Sequence, residues 1–380
     1  MSSILFIEPF FGGSHRAFAE GYARHSRHHV RMLTLPGRNW KWRMRGGAAA
    51  IAAKAASAMA SDGTDSTIEA PDALLVTSLI NLAELRGLGP VAWREAPAIL
   101  YFHENQLTYP IRGDNKRDLH FAMTHAISIL AADSIAFNSE YHKREFLEAL
   151  PGFLQALPDT KPRDILARVE DALVLHPGID SCDDRSPHDA DVRGDANENA
   201  RTVLWNHRWE YDKGPDRLLR VIRALRARKV RFRLIVTGAG HDERADVFSE
   251  LPDAAGPHLA HIGYVAGREE YARLLRAGDI VVSTARHEFF GISCLEAVLA
   301  GAFPLLPRAL SYPELIDPAR FPSCYYQDTD DLVERLAQLL MTGERPPGGL
   351  RDAVRHHVWP APARLMDDAV EALHAKKERT

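Results

Sequence analysis

The apolar positions of this chain fall into short, β-branched runs that end in glycine, proline or charged residues, and longer amphipathic stretches separate them. Runs at Ile4–Glu8, Val30–Leu35, Ala73–Thr77, Ala98–Phe102, Ser134–Phe137 and Leu173–His176 read as strands. Thr202–Trp205, Phe232–Val236, Leu259–Gly263 and Ile280–Ser283 read the same way. Most are apolar throughout rather than alternating, the pattern of strands covered on both faces, as in a parallel sheet with helices on either side. Helices are predicted from Arg16, over Ala48–Ala60, over Asp118–Ala131, from Pro215, after Gly291 and over Trp359–Lys376, with Ser139 as an N-cap. The strand–helix alternation runs twice. Between the two series, residues 181–200 are acidic, polar and poor in apolar side chains, which is the composition of a linker. The pattern therefore predicts an α/β protein with a first domain at 1–180, a linker at 181–200, a second domain at 201–357 and a terminal helical segment at 358–380.

Composition narrows the class. The 380 residues are 46% hydrophobic and 26% charged, as in a soluble globular protein with two cores of ordinary size. A formal net charge of −4 gives no global attraction to nucleic acid or anionic lipid, so any such partner must use a local patch. Cys182, Cys294 and Cys324 have no close spacing, which argues against a disulfide framework or a structural zinc site and fits a reducing compartment. No window is long enough to cross a bilayer, and the first residues lack an export signal, so a cytoplasmic protein without stable membrane insertion is expected.

The chemistry concentrates at the carboxyl ends of the predicted strands. After Ile280–Ser283 comes His287-Glu288-Phe289-Phe290-Gly291-Ile292, then helical spacing through Glu296 to Gly301. Gly291 sits where a loop turns into a helix, so free backbone N–H groups and the helix dipole attract an anion such as a diphosphate. Carboxylates beside a phosphate repel it, so Glu288 and Glu296 suit hydroxyls, as on a sugar ring and a ribose; a capping acid and a solvated glutamate are the plainer reading. Gly12-Gly13-Ser14-His15 follows the first strand without the dinucleotide-binding spacing, and a tight turn is its plainer reading. His103-Glu104-Asn105 ends the fourth strand, where open α/β sheets bind ligands, and no third ligand at metal spacing supports zinc. Arg208 and Lys213 lie five apart in a loop before a helix, placed to neutralise a leaving diphosphate or to form a solvated pair. Gly238 marks another glycine turn at a strand end. Finally, Arg38, Lys41, Arg43 and Arg45 interleave with Trp40 and Trp42 in what reads as a loop. Such a loop can grip phosphates and stack on bases, sit at a membrane interface, or be solvated with its tryptophans in the core.

Two resemblances follow from these strings. Glu288-Phe289-Phe290-Gly291-Ile292 with Glu296, and Arg208 and Lys213-Gly214, resemble retaining glycosyltransferases of the GT-B fold, family 4 type. Ile7-Glu8-Pro9-Phe10-Phe11-Gly12-Gly13-Ser14-His15, Trp40-Lys41-Trp42-Arg43, Tyr101-Phe102-His103-Glu104-Asn105 and Phe137-Asn138-Ser139, with the stretch around 158–164, resemble the tRNA-queuosine α-mannosyltransferase family. The resemblance implies two Rossmann-like domains facing across a cleft, the last helix crossing back to the first domain, and mannose transfer from GDP-mannose to the cyclopentenediol of queuosine in tRNA(Asp), without a metal. It implies catalytic roles for His103, Arg208, Lys213 and Glu288. Gly12, Gly13, Gly238, Phe290, Gly291, Ile292 and Glu296 are expected on the donor. Ser14, His15, Trp40, Lys41, Trp42, Arg43, Glu104 and Asn105 are expected on the acceptor, with Arg112, Lys116 and Arg117 extending that surface. A lipid or polysaccharide acceptor at a membrane surface is the alternative, and the oligomeric state stays open.

Overall fold

The computed structural model describes residues 1–61, 66–111, 116–158, 164–181, 200–238 and 247–377. The predicted linker from Cys182 onward, Arg112, Gly240 and residues 159–163 lie outside them. The chain divides into two units, Met1–Gly178 together with His357–Thr380, and Ile179–His356.

In the first unit, β1 (Ser3–Phe11), β2 (His29–Pro36), β3 (Ala73–Thr77), β4 (Ala98–Phe102), β5 (Ser134–Phe137) and β6 (Leu173–Val174) form one sheet in the order β2-β1-β3-β4-β5-β6. Every pairing is parallel, with Ile4 opposite both Val30 and Ala73. Ile4 to Ile7 are fully buried because helices cover both faces, which is why their sequence does not alternate. β6 is shorter than predicted, ending at Val174. The helix Ala361–Lys377 belongs to this unit, as expected of a terminal segment that returns to the first domain. Its buried Asp367 accepts hydrogen bonds from Tyr22 Oη (2.9 Å), Ser26 Oγ (2.6 Å) and the Arg27 N–H (2.9 Å).

In the second unit, β7 (Thr202–Trp205), β8 (Arg233–Thr237), β9 (Leu259–Gly263), β10 (Ile280–Val282), β11 (Phe303–Pro307) and β12 (Tyr325–Tyr326) form a second parallel sheet in the order β12-β11-β10-β7-β8-β9. The order reverses between β10 and β7, and the loops that leave those two strands carry the candidate chemistry, as open α/β sheets dictate.

One stretch differs from its sequence reading in kind rather than in length. Trp40 to Arg45 is not a loop but the opening turns of a helix, Trp40–Ser61, that continues straight into the alanine-rich stretch. Asn39, in the left-handed region at φ 56°, starts it by accepting from the Trp42 N–H (2.9 Å). Aromatic and basic interleaving hides the helical period because the side chains on all faces are large.

Candidate active site

In the first unit the glycine pair does two separate jobs. Gly12 is extended and packs backbone to backbone on Gly37, where a Cβ would stand 3.2 Å from the Gly37 Cα. Gly13 opens the helix Gly13–His25 with φ at 52°, a conformation that disfavours a side chain. Ser14 is exposed, whereas His15 turns inward and is buried. Its Nδ1 lies 3.1 Å from Oε2 of the fully buried Glu8, and its ring centroid is 4.2 Å from that of His103. His103 packs edge-on to Phe18 (4.7 Å) and Tyr101 (4.8 Å). Burial, reinforced by the neighbouring His15 and His142, holds the His103 pKa well below 6.5, so this imidazole is neutral. The ligand atoms of Glu8, His15 and His103 all lie within 4.8 Å of one another, close enough that they could share a divalent ion. The sequence reading, which sought a third ligand near His103 and Glu104 alone, did not include Glu8; only topology carries the end of β1 to the end of β4.

The acceptor candidates separate by environment. Asn105 is fully buried and its side chain caps its own turn, Oδ1 accepting from the N–H groups of Leu107 (2.9 Å) and Thr108 (2.8 Å). Glu104 accepts from the Gln106 amide at 3.1 Å. Trp40 packs on Phe121 with centroids 5.0 Å apart, in a small apolar cluster with Met44 and Leu79. Arg43 donates to the Pro36 carbonyl at 3.1 Å. Lys41 and Trp42 point outward, and Trp42 is 71% exposed. Of the basic-aromatic stretch, then, one tryptophan is structural and the other is presented to solvent. Lys116 is exposed, while Arg117 binds the Gln106 carbonyl at 2.7 Å and so braces the His103–Thr108 loop.

In the second unit the loops after β7 and β10 are bolted together. The Arg286 and His287 N–H groups donate to the Asp212 carbonyl (2.7 and 3.2 Å), and Thr284 Oγ1 donates to the Lys213 carbonyl (2.8 Å). Gly214, at φ 64°, has space only for hydrogen, since a Cβ would meet the Thr284 oxygen at 2.1 Å. Gly238 is held likewise, 2.0 Å from the His207 oxygen on the same construction. Inside this frame Lys213 is buried, and its Nζ lies 3.0 Å from Glu288 Oε2, 3.0 Å from Asp212 Oδ2 and 3.1 Å from the His287 carbonyl. Burial pushes the Glu288 pKa up, but Lys213 and His207 outweigh it and the carboxyl stays below its ordinary value. Asp212 shows the same balance, with Lys213 and Arg208 winning. Lys213 thus serves two carboxylates before any phosphate arrives. Arg208 is 45% exposed, paired with Glu210 at 3.3 Å, and is the more available cation.

Gly291 caps the helix Ile292–Leu299 at φ 109°, and a Cβ there would press on the Tyr312 ring at 2.9 Å. Phe290 is buried and its carbonyl accepts from Ser311 at 2.6 Å, while Ile292 begins the helix. Glu296, one turn in, accepts from the Tyr271 hydroxyl at 2.9 Å; Asn206 donates to that hydroxyl at 3.2 Å and to the Ser293 carbonyl at 2.7 Å. Burial dominates the surroundings of Glu296 and raises its pKa to about 7. The sequence reading assigned no role to Asp212, Asn206 or Tyr271; the place of Asp212 beside Lys213 is the one local signal for any of them.

Two parallel α/β units, the last helix returned to the first, and a glycine-capped helix with one glutamate before it and one within it fit a GT-B glycosyltransferase. Comparisons agree. Residues 189–347 match the family described as glycosyl transferases group 1, and residues 3–179 match the tRNA-queuosine alpha-mannosyltransferase N-terminal family. A tRNA-queuosine alpha-mannosyltransferase of Drosophila melanogaster is 36% identical over 321 residues, covering 82% of this chain and 81% of the relative. A GDP-mannose:cellobiosyl-diphosphopolyprenol alpha-mannosyltransferase of Xanthomonas campestris is 29% identical over 28% of each chain. Among solved structures, sucrose-phosphate synthase from Thermosynechococcus elongatus superposes with a TM-score of 0.69 at 15% identity, covering 99% of this chain and 100% of that one. Anabaena HepE with UDP-glucose gives 0.66 at 16%, with the same coverage; these likenesses establish the fold. The chain belongs to the tRNA-queuosine α-mannosyltransferase family.

Proposed function

We propose that this protein transfers mannose from GDP-mannose to the cyclopentenediol hydroxyl of queuosine in tRNA(Asp), with retention at the anomeric carbon. The observation that carries the reading is the 36% identity with the Drosophila enzyme, which extends through both units and so includes the part that distinguishes acceptors. The donor assignment is supported by the Xanthomonas relative, whose name specifies GDP-mannose. In the second unit, Glu288 faces the sugar and supports developing positive charge, and the N-terminus of the Ile292–Leu299 helix with Arg208 takes the diphosphate. Glu296 accepts the ribose hydroxyls. In the first unit, His103, neutral and half-buried, assists the acceptor hydroxyl, and exposed Lys41 and Trp42 meet RNA. The protein works where tRNA is, in the cytoplasm. The test is transfer of labelled mannose from GDP-mannose, with UDP-glucose as the competing donor and vesicle-borne lipid acceptors as the competing acceptor; label on lipid rather than tRNA would move the activity to a membrane surface.

No metal enters this mechanism, since fixed cations and backbone dipoles meet the diphosphate. EDTA is therefore expected to leave the steady-state rate unchanged within about twofold. Loss of activity on chelation, restored by a divalent ion, would contradict the metal-free mechanism.

Ribose hydroxyls donate to the ionised form of Glu296, and a carboxyl whose pKa lies near 7 is mostly protonated at acid pH. The donor KM should fall up to about tenfold between about pH 6 and 8, and stay flat in Glu296→Gln. The stability effect runs the other way. A raised carboxyl pKa stabilises the fold fully below 4.5, and this is lost as pH rises through about 7.

A further inference from the structure

Glu8 is fully buried within the interior strand β1, where the pattern calls for an apolar side chain. A carboxylate in such a place is tolerated only when its oxygens are bonded. Oε1 accepts the Phe10 N–H at 2.8 Å, which holds the chain where the β1–β2 register shifts after Glu8. A glutamine would do that equally well. Oε2 has a different task. It accepts from His15 Nδ1 at 3.1 Å and stands 3.9 Å from His103 Nε2, an atom that is buried and has no hydrogen-bond partner among the described residues. One carboxylate oxygen therefore faces two imidazoles whose rings are already in contact.

A carboxylate only accepts hydrogen bonds, so the 3.1 Å contact places a proton on His15 Nδ1, and a ring carrying that one proton has its lone pair on Nε2. The same logic orients ring nitrogens in metal and acid–base sites, where the group behind a histidine decides what the front of it can do. The bond also fixes the ring's rotation, and through the 4.2 Å ring contact it limits where His103 can stand. Phe10, edge-on to His15 at 5.6 Å, and Phe18, edge-on to His103 at 4.7 Å, close the pair from the sides.

We propose that Glu8 is a positioning residue for the transfer reaction: it locks His15 in the Nδ1–H tautomer, so that His15 meets an acceptor hydroxyl through Nε2 as a hydrogen-bond acceptor, and it holds His103 alongside. This rests on the reading above in which the first-unit histidines serve the acceptor. Glu8 itself touches no substrate and acts through His15.

The test uses the full chain labelled with ¹⁵N-histidine, in which long-range ¹H–¹⁵N spectra report the His15 tautomer. The Nδ1–H form is expected in the wild-type protein, and the Nε2–H form there would overturn the proposal without any variant having to fold. In Glu8→Gln, which keeps the shape and the Phe10 contact, the tautomer should become mixed and kcat should fall on the order of 10²-fold, the lower end of acid–base contributions. The donor KM and the melting temperature should stay put, which a merely structural role for Glu8 would not produce. Full kcat in a folded Glu8→Gln protein, with His15→Ala and His103→Ala both impaired, would overturn this proposal alone. Full transfer by both histidine variants would overturn it together with the reading on which it rests.

Discussion

Replacing Lys213 by alanine is expected to abolish mannose transfer, by 10³-fold or more, and to lower the unfolding free energy by about 3–5 kcal/mol. Both effects come from one geometry. Asp212 and Glu288 each lie 3.0 Å from the same buried ammonium, so its removal leaves two carboxylates in low dielectric without the counter-charge they share. At least one must then take up a proton, and Glu288 loses the ionised form that its proposed support of the sugar's developing charge calls for. Lys213→Met, which fills the space without the charge, should be as inactive as alanine. A melt and a transfer assay on both variants check the two halves separately. An active variant, within about tenfold of wild type, would mean that Lys213 only braces the loops and that Arg208 carries the electrostatics.

Glu288→Gln should lower kcat on the order of 10²–10³-fold while costing far less stability, since Lys213 keeps Asp212 and the His287 carbonyl. Glutamine retains the shape and a hydrogen bond to the lysine but cannot support positive charge at the anomeric carbon. The donor KM should change less than kcat, because the ionised side chain matters most when charge develops. Equal losses in kcat and in donor affinity would instead make Glu288 a ground-state sugar contact. The contrast between the two variants separates a charge that holds the frame from a charge that acts on the substrate.

How much of this was legible beforehand depends on the range of the interaction. The strand positions were plain because parallel strands buried on both faces write unbroken apolar runs, and β3, β4, β5 and β7 have the predicted limits, as does the half-buried edge strand β9. Gly291 was legible as a helix opening, where its positive φ favours glycine, whereas the helix expected from Arg16 opens three residues earlier, at Gly13. Hidden was whatever depends on which strand ends become neighbours. Glu8 reads as the polar end of a strand until β1 and β4 bring it to His103, and Tyr271 reads as one aromatic on a helix until it binds Glu296. Lys213 was read as a phosphate ligand, since sequence spacing shows its nearness to Arg208 but not the distance to Glu288, 75 residues on. The Trp40 helix start was missed for the converse reason, a local pattern with large side chains on every face.

The most direct measurement incubates the purified protein with GDP-mannose and tRNA that carries queuosine, beside the same tRNA made without it, and weighs the digested nucleosides by mass spectrometry. The account predicts one added hexose on queuosine in the first sample and no adduct in the second. An adduct on both tRNAs, or none on either despite tight binding of GDP-mannose, would contradict it.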